Sequence, residues 1–200
     1  MKTYINTMWR ATIVLTLSLC ISAAAHSTDE ITAPVMLVAT DRLAGLAYEE
    51  TVLLAIPAGD GRHLGLIVNR PIPMELSAVP MGSALPQSLP SPILFGGPAL
   101  SGALFAAVRT AAPPSASSVS LMPGLFLVTD RETIEQLIKS PQSTVRYFTG
   151  VVVWDPAELA GEIRSGMWDV RPADVNLLFR QNPQEIWPEF AQPGRHVVAR

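Results

Sequence analysis

Cysteine is almost missing from this chain. It occurs once, at Cys20, inside an N-terminal apolar stretch. If that stretch is removed, the protein has no disulfide, no thiolate nucleophile and no cysteine metal ligand, so its stability must come from packing. Histidine is scarce as well. His26, His63 and His196 lie far apart, without the spacing of a metal site. No His-Glu-x-x-His, no Gly-x-Ser-x-Gly and no serine or cysteine triad can be read. Charged residues make up only 16% of the chain against 48% hydrophobic, which excludes a disordered polymer and leaves enough apolar material for a core. The longest apolar run falls short of the ~20 residues of a membrane span. Catalytic residues, cofactor and metal are therefore all read as none.

What is present begins with an address. Lys2 and Arg10 give a positive start, Ala11 to Ile21 is almost wholly apolar, and Ala23-Ala24-Ala25 offers small residues for cleavage. This is the pattern of a secretory signal peptide over residues 1–25. A buried N-terminal helix and a retained anchor are the competing readings. Leu17-Ser18-Leu19-Cys20 is a poor lipoprotein site, because Leu19 stands where a small residue is wanted. Residues 26–34 read as a flexible polar lead and 35–200 as one domain, in a bacterial periplasm. Without Lys2 and Arg10, 12 basic residues face 17 acidic ones, a formal net charge of −5. That balance argues against nucleic acid, which rewards clustered positive charge. No stable membrane span is expected once the leader is gone.

The domain is organised around Gly65-Leu66-Ile67-Val68-Asn69-Arg70-Pro71. The short apolar run predicts a strand buried on both faces. Gly65 permits close approach at its start, and Pro71 ends the ladder. Before it, Val35–Ala39 and 51–56 read as strands. The Pro57-to-Gly61 turn predicts an antiparallel hairpin between the second strand and the central one. Six prolines between Pro71 and Pro92 predict a long irregular connection. Further strands are expected at Ile93–Phe95, 103–108, Leu125–Val128 and Val145–Trp154, with a surface loop over 110–118. Thr129 with Glu132 matches a capping box, and Asp155-Pro156 with Glu158 matches a second helix start. Pro172 is expected to open a third helix, and Asn182-Pro183 a last short turn. Strands first and helices later predict an α+β domain.

An ordered set of motifs carries a family resemblance: Met36 to Thr40, Glu49 to Leu54, Gly65 to Pro71, Phe95-Gly96-Gly97-Pro98, Gly150 to Trp154 with Pro156, Leu159, Glu162, Ile163 and Trp168, then Leu178-Phe179 and Trp187. In this order, over about residues 35–190, the chain resembles the YqgE/AlgH family of bacterial proteins. The resemblance implies one α+β domain with a small, closed, barrel-like and mostly antiparallel sheet flanked by helices. It implies no settled activity. One branch is named for a regulatory effect on alginate synthesis, and no catalytic residue can be carried over. The chain departs from the family pattern at three places. Family members usually read Gly-Gln-Leu-Glu where this chain has Ala157-Glu158-Leu159-Ala160. They often carry a Leu-His pair in the strand after Gly-Gly-Pro, and they typically lack a signal peptide. An exported protein cannot meet cytoplasmic transcription machinery, so a regulatory role in transcription is not carried over.

The candidate ligand-binding residues are Asn69, Arg70, Gly96, Gly97 and Glu162. Asn69 and Arg70 lie where a strand meets a loop, and Arg70 could clamp a carboxylate; alternatively it pairs with Glu158 or Glu162. Gly96-Gly97-Pro98 could offer N–H groups to an anion or could simply be a tight turn. Glu158 and Glu162 share a helical face, open to acid–base work or to capping. Trp154, Trp168 and Trp187 line either a pocket or the core. The preferred expectation is a non-enzymatic binding or accessory module whose partner is an unknown envelope protein or a small ligand. The alternative is a hydrolase with Glu162 and Arg70 in one pocket.

Overall fold

The computed structural model describes residues 31–73, 89, 91–142 and 144–191. The expected signal peptide, most of the polar lead and the greater part of the proline-rich connection lie outside the described residues. The strands are β1 (Val35–Ala39), β2 (Val52–Pro57), β3 (His63–Ile67), β4 (Pro71–Ile72), β5 (Ile93–Phe95), β6 (Ala99–Arg109), β7 (Val119–Met122), β8 (Leu125–Val128), β9 (Val145–Trp154) and β10 (Trp168–Pro172). The helices are α1 (Arg131–Lys139), α2 (Glu158–Arg164) and α3 (Ile186–Ala191), with 3₁₀ turns at Asp41–Leu43, Val175–Phe179 and Pro183–Glu185.

The strands make one curled sheet in the order β10-β1-β2-β3-β9-β6-β8-β7, with β4 and β5 attached beside β9. All pairs are antiparallel except β5 with β9. The expected α+β class and antiparallel sheet hold, but the sheet is an open half-barrel, not a closed barrel. The physical reason lies in what fills its inside. Leu177, Leu178 and Ile186, from the 3₁₀ turn and α3, join the core against Met36, Leu54, Leu66 and Phe148. The C-terminal chain covers the inner apolar face, so the end strands β7 and β10 need not meet.

Side-chain alternation explains the three clusters that hold the sheet. In β1, Met36 and Val38 face the inner cluster while Leu37 and Ala39 face α2 on the outside. Leu66, Ile67 and Val68 are all fully buried, with Ile67 on the opposite face from its neighbours, as the continuous apolar run predicts. Beneath α1, Ile134 and Ile138 pack on the outward residues Ala106, Val108 and Tyr147. The β2–β3 hairpin forms as expected, with Leu54 opposite Leu66.

Strand β9 changes phase at Gly150. Phe148 and Val151, three apart, both reach the inner cluster, whereas strict alternation would separate them. Gly150 absorbs the extra residue at φ +69°, and a Cβ there would lie 2.1 Å from the Gly97 carbonyl oxygen.

Several local expectations need correction. Asp130, not Thr129, caps α1, accepting from the Thr133 N–H at 2.9 Å. At α2 the Glu158 carboxylate does accept from the Asp155 N–H at 3.0 Å. However, Ala157 takes a left-handed conformation, so the Asp-Pro turn stands apart from a helix that starts only at Glu158. Pro172 ends β10 instead of opening a helix, and the segment behind it is a 3₁₀ turn capped by Asp174. The edge strands β7 and β10 escape sequence reading because half of each faces solvent and shows no long apolar run. The connection after Arg70 is not wholly irregular, since Pro71–Ile72 pairs with Ile93 and Leu94.

Candidate functional site

The end of β3 acts as a bracket for the chain that enters β2. Asn69 is buried. Its side-chain carbonyl accepts from the Val52 N–H at 2.8 Å, and its amide donates to the Glu50 carbonyl at 2.8 Å. Arg70 continues the seam, donating from one terminal nitrogen to the Ala47 carbonyl at 2.8 Å and from the other to the Glu49 carbonyl at 2.7 Å. Together they bind three carbonyls of the connection between β1 and β2 and the first N–H of β2, which matters because Glu50 in that connection sits at φ +52°. Among the described residues Arg70 makes no ion pair with Glu158 or Glu162, so the anticipated sheet-to-helix bridge is replaced by a strand-to-loop clamp. The geometry explains why: two carbonyls aligned with the guanidinium fork offer hydrogen bonds without a second charge to desolvate.

Glu162 has a different task. Its Oε2 accepts from the Trp154 indole N–H at 3.0 Å and from the Trp168 indole N–H at 2.7 Å. Both indoles are almost wholly buried, so their polar tips need a partner that the apolar surroundings cannot supply. Gly65 belongs to the same arrangement, since a Cβ on it would come within 2.7 Å of the Trp154 ring. The close approach foreseen at Gly65 is therefore to a side chain. Tyr48 joins from the connection, its ring 5.9 Å from that of Trp168. Burial pushes the Tyr48 phenol up; Glu162 and Glu158 add to the effect and Arg70 opposes it. Burial pulls Arg70 down, and Tyr48, Glu49 and Glu50 oppose that. Tyr48 thus lies within electrostatic reach of both Arg70 and Glu162.

Gly96 and Gly97 are buried where the chain crosses β9. The Gly96 N–H donates to Thr149 and its carbonyl accepts from the Ile67 N–H at 3.0 Å. A Cβ at Gly96 would lie 2.3 Å from the Gly150 carbonyl oxygen, and one at Gly97 2.2 Å from the Val151 carbonyl carbon. Backbone contact occupies this turn.

The structure brings Asn69 and Arg70 to one cleft of about 590 Å³, lined also by Leu46, Glu49, Glu50, Gln184, Trp187 and Pro188. Gly96, Gly97 and Glu162 are not among its lining residues, so Arg70 and Glu162 do not share it. Of the three tryptophans weighed from sequence, Trp187 reaches the cleft while Trp154 and Trp168 belong to the cluster under α2. Leu46, Tyr48 and Gln184 were not anticipated; nothing in their local sequence marks residues that a distant strand end draws together. Among the described residues, no group of three or more His, Cys, Asp or Glu could hold a metal ion, and no helix is long and apolar enough to cross a membrane.

A family model described as AlgH-like matches residues 36–194. A UPF0301 protein of Streptomyces avermitilis is 28% identical over 171 residues, covering 82% of this chain and 87% of its own length. One from Methylococcus capsulatus is 29% identical over 160 residues, covering 76% and 86%. Among solved structures, the AlgH protein of Pseudomonas aeruginosa superimposes with a TM-score of 0.67 at 22% identity, covering 78% of this chain and 85% of that one. A protein of Corynebacterium diphtheriae does so with a TM-score of 0.56 at 24% identity, covering 82% and 87%. These two likenesses concern the fold. With the family model spanning well over half of the chain, the chain belongs to the AlgH-like family.

Proposed function

We propose that this protein is an exported, periplasmic member of its family that works as a non-enzymatic binding or accessory module, engaging its partner through the cleft beside Asn69 and Arg70. One observation carries the reading: a cleft of about 590 Å³ whose wall is held by the Asn69–Arg70 clamp. The clamp residues spend their polar atoms on backbone, which favours a rigid wall over reactive groups. Leu46, Trp187 and Pro188 offer apolar surface, and Glu49 and Glu50 favour a positively charged group on the occupant. The occupant is a segment of an envelope protein or a small ligand.

The test is cross-linking in intact cells, followed by capture of tagged protein from separated periplasmic and cytoplasmic fractions with intact-mass analysis. The expected result is a processed chain in the periplasm and one recurrent partner. That partner should be lost in Leu46→Asp, at the cleft, and kept in Val119→Asp, on an exposed position of β7. An unprocessed chain confined to the cytoplasm refutes the address. Equal capture by both variants refutes the cleft.

A further inference from the structure

A second hollow lies at the start of β9, and a buried cation lines it. Arg146 is 3% exposed on the inner face of the sheet, opposite Ala107 of β6. Its Nε donates to the Leu178 carbonyl at 2.9 Å and its Nη2 to the Arg180 carbonyl at 2.7 Å. Its Nη1 is buried and has no hydrogen-bond partner among the described residues. Among the described residues no carboxylate meets it in an ion pair, and burial is the sole cause acting on its guanidinium, which it pulls down. Two residues beyond Ala107 on the same face of β6, Arg109 stacks 4.5 Å over the Phe179 ring and donates from Nη2 to Asn176 Oδ1 at 3.1 Å, while its Nε is buried without a partner among the described residues. Two guanidinium groups with unmatched buried donors are costly in a folded protein. They become favourable when an anion supplies the missing acceptor.

The hollow measures about 170 Å³ and is lined by Ser91, Pro141, Gln142, Val145, Arg146, Phe179 and Gln181. Its uncharged polar groups suit the oxygens of an anion, while Pro141 and Phe179 suit a short apolar tail. We infer that this hollow is a binding site for a small carboxylate with a short acyl chain, its carboxylate accepting from the free Nη1 of Arg146 and its chain lying against Pro141 and Phe179. The site is separate from the cleft beside Asn69 and Arg70 and shares no lining residue with it.

The test uses the full domain, titrated with sodium butyrate and separately with inorganic phosphate, and followed by NMR of backbone amides and arginine Nε–H groups. Butyrate is expected to give saturable shifts centred on residues 141–146 and 178–181. Arg146→Gln should weaken it roughly 10-fold or more. Because Arg146 also ties down the 3₁₀ turn, Gln181→Glu provides a second variant; it lies at an exposed position and sets a negative charge beside the site. It should weaken butyrate as well, while Leu46→Asp should not. Absence of saturable shifts, unchanged affinity in a folded Arg146→Gln or in Gln181→Glu, or phosphate saturating these signals where butyrate does not, would each overturn the inference.

Discussion

Replacing Glu162 tests whether it acts chemically or holds the two indoles in place. In Glu162→Ala, the Trp154 and Trp168 N–H groups lose an acceptor that now lies 3.0 and 2.7 Å away. Both rings are nearly fully buried, so neither can turn to solvent without unpacking from Leu37, Leu53 and Leu159. A hydrogen bond to a charged group contributes about 1.5–3 kcal/mol, and an orphaned buried donor costs about 1–3 kcal/mol. Glu162 itself is half-buried, so water can refill part of the space it leaves. Glu162→Ala should therefore cost about 2–4 kcal/mol. Glu162→Gln, which keeps an acceptor oxygen but loses the charge, should cost about 1 kcal/mol. Urea unfolding followed by tryptophan fluorescence measures both. A double-mutant cycle with Trp168→Phe isolates one of the two bonds and should show a coupling of about 1–2 kcal/mol. If Glu162→Ala stays within about 0.5 kcal/mol of the parent, the surface-substitution range, the two-indole argument fails. A change in some activity at unchanged stability would instead restore Glu162 as an acid–base candidate.

Asn69→Ala should cost about 2–4 kcal/mol, since it strands the buried Val52 N–H and frees the Glu50 carbonyl; amide exchange at Val52 should rise with it. Asp130 titrates at about 2 rather than 3.8 because it accepts from Ser115 first and Thr133 next. Its folded value lies below its unfolded one, so its contribution to stability is complete above pH 3.8 and is lost as the pH falls through about 2. In Ser115→Ala, an NMR titration of the Asp130 carboxyl should move up toward 3.8.

Much of the sheet was legible in the residues because burial on both faces leaves a continuous apolar run. Val35–Ala39, Ile93–Phe95, Leu125–Val128 and Val145–Trp154 all begin and end where the pattern predicts. Edge strands were not legible, because a strand with one wet side carries half the signal: Trp168–Pro172 mixes a buried indole with exposed Asp169 and Val170. The candidate site was partly legible. The break from apolar to Asn-Arg-Pro marked the right strand end, but not its partners, which are backbone carbonyls and have no sequence signature. Arg146 was passed over although it interrupts an apolar strand; alternation with Phe148 already placed it on the inner face. The closed barrel that the resemblance implies gives way to an open one because a segment beyond residue 172 enters the concavity, which nothing in the local sequence shows.

The order in which the sheet is laid down differs from the order in which it is joined. β9 pairs with β3, β5 and β6, so the two halves of the sheet remain strangers until residues 145–154 are in place. The outer side of β1 waits longer still, for β10, and the Thr40 hydroxyl finds the Met167 carbonyl 127 positions downstream. Such distant closures must be made before they are rewarded, which puts refolding on the order of milliseconds to seconds, in the slow range of single domains. A chain cut short before β9 would hold paired strands with unfinished edges and open apolar faces, the features that make partly folded β-proteins aggregate.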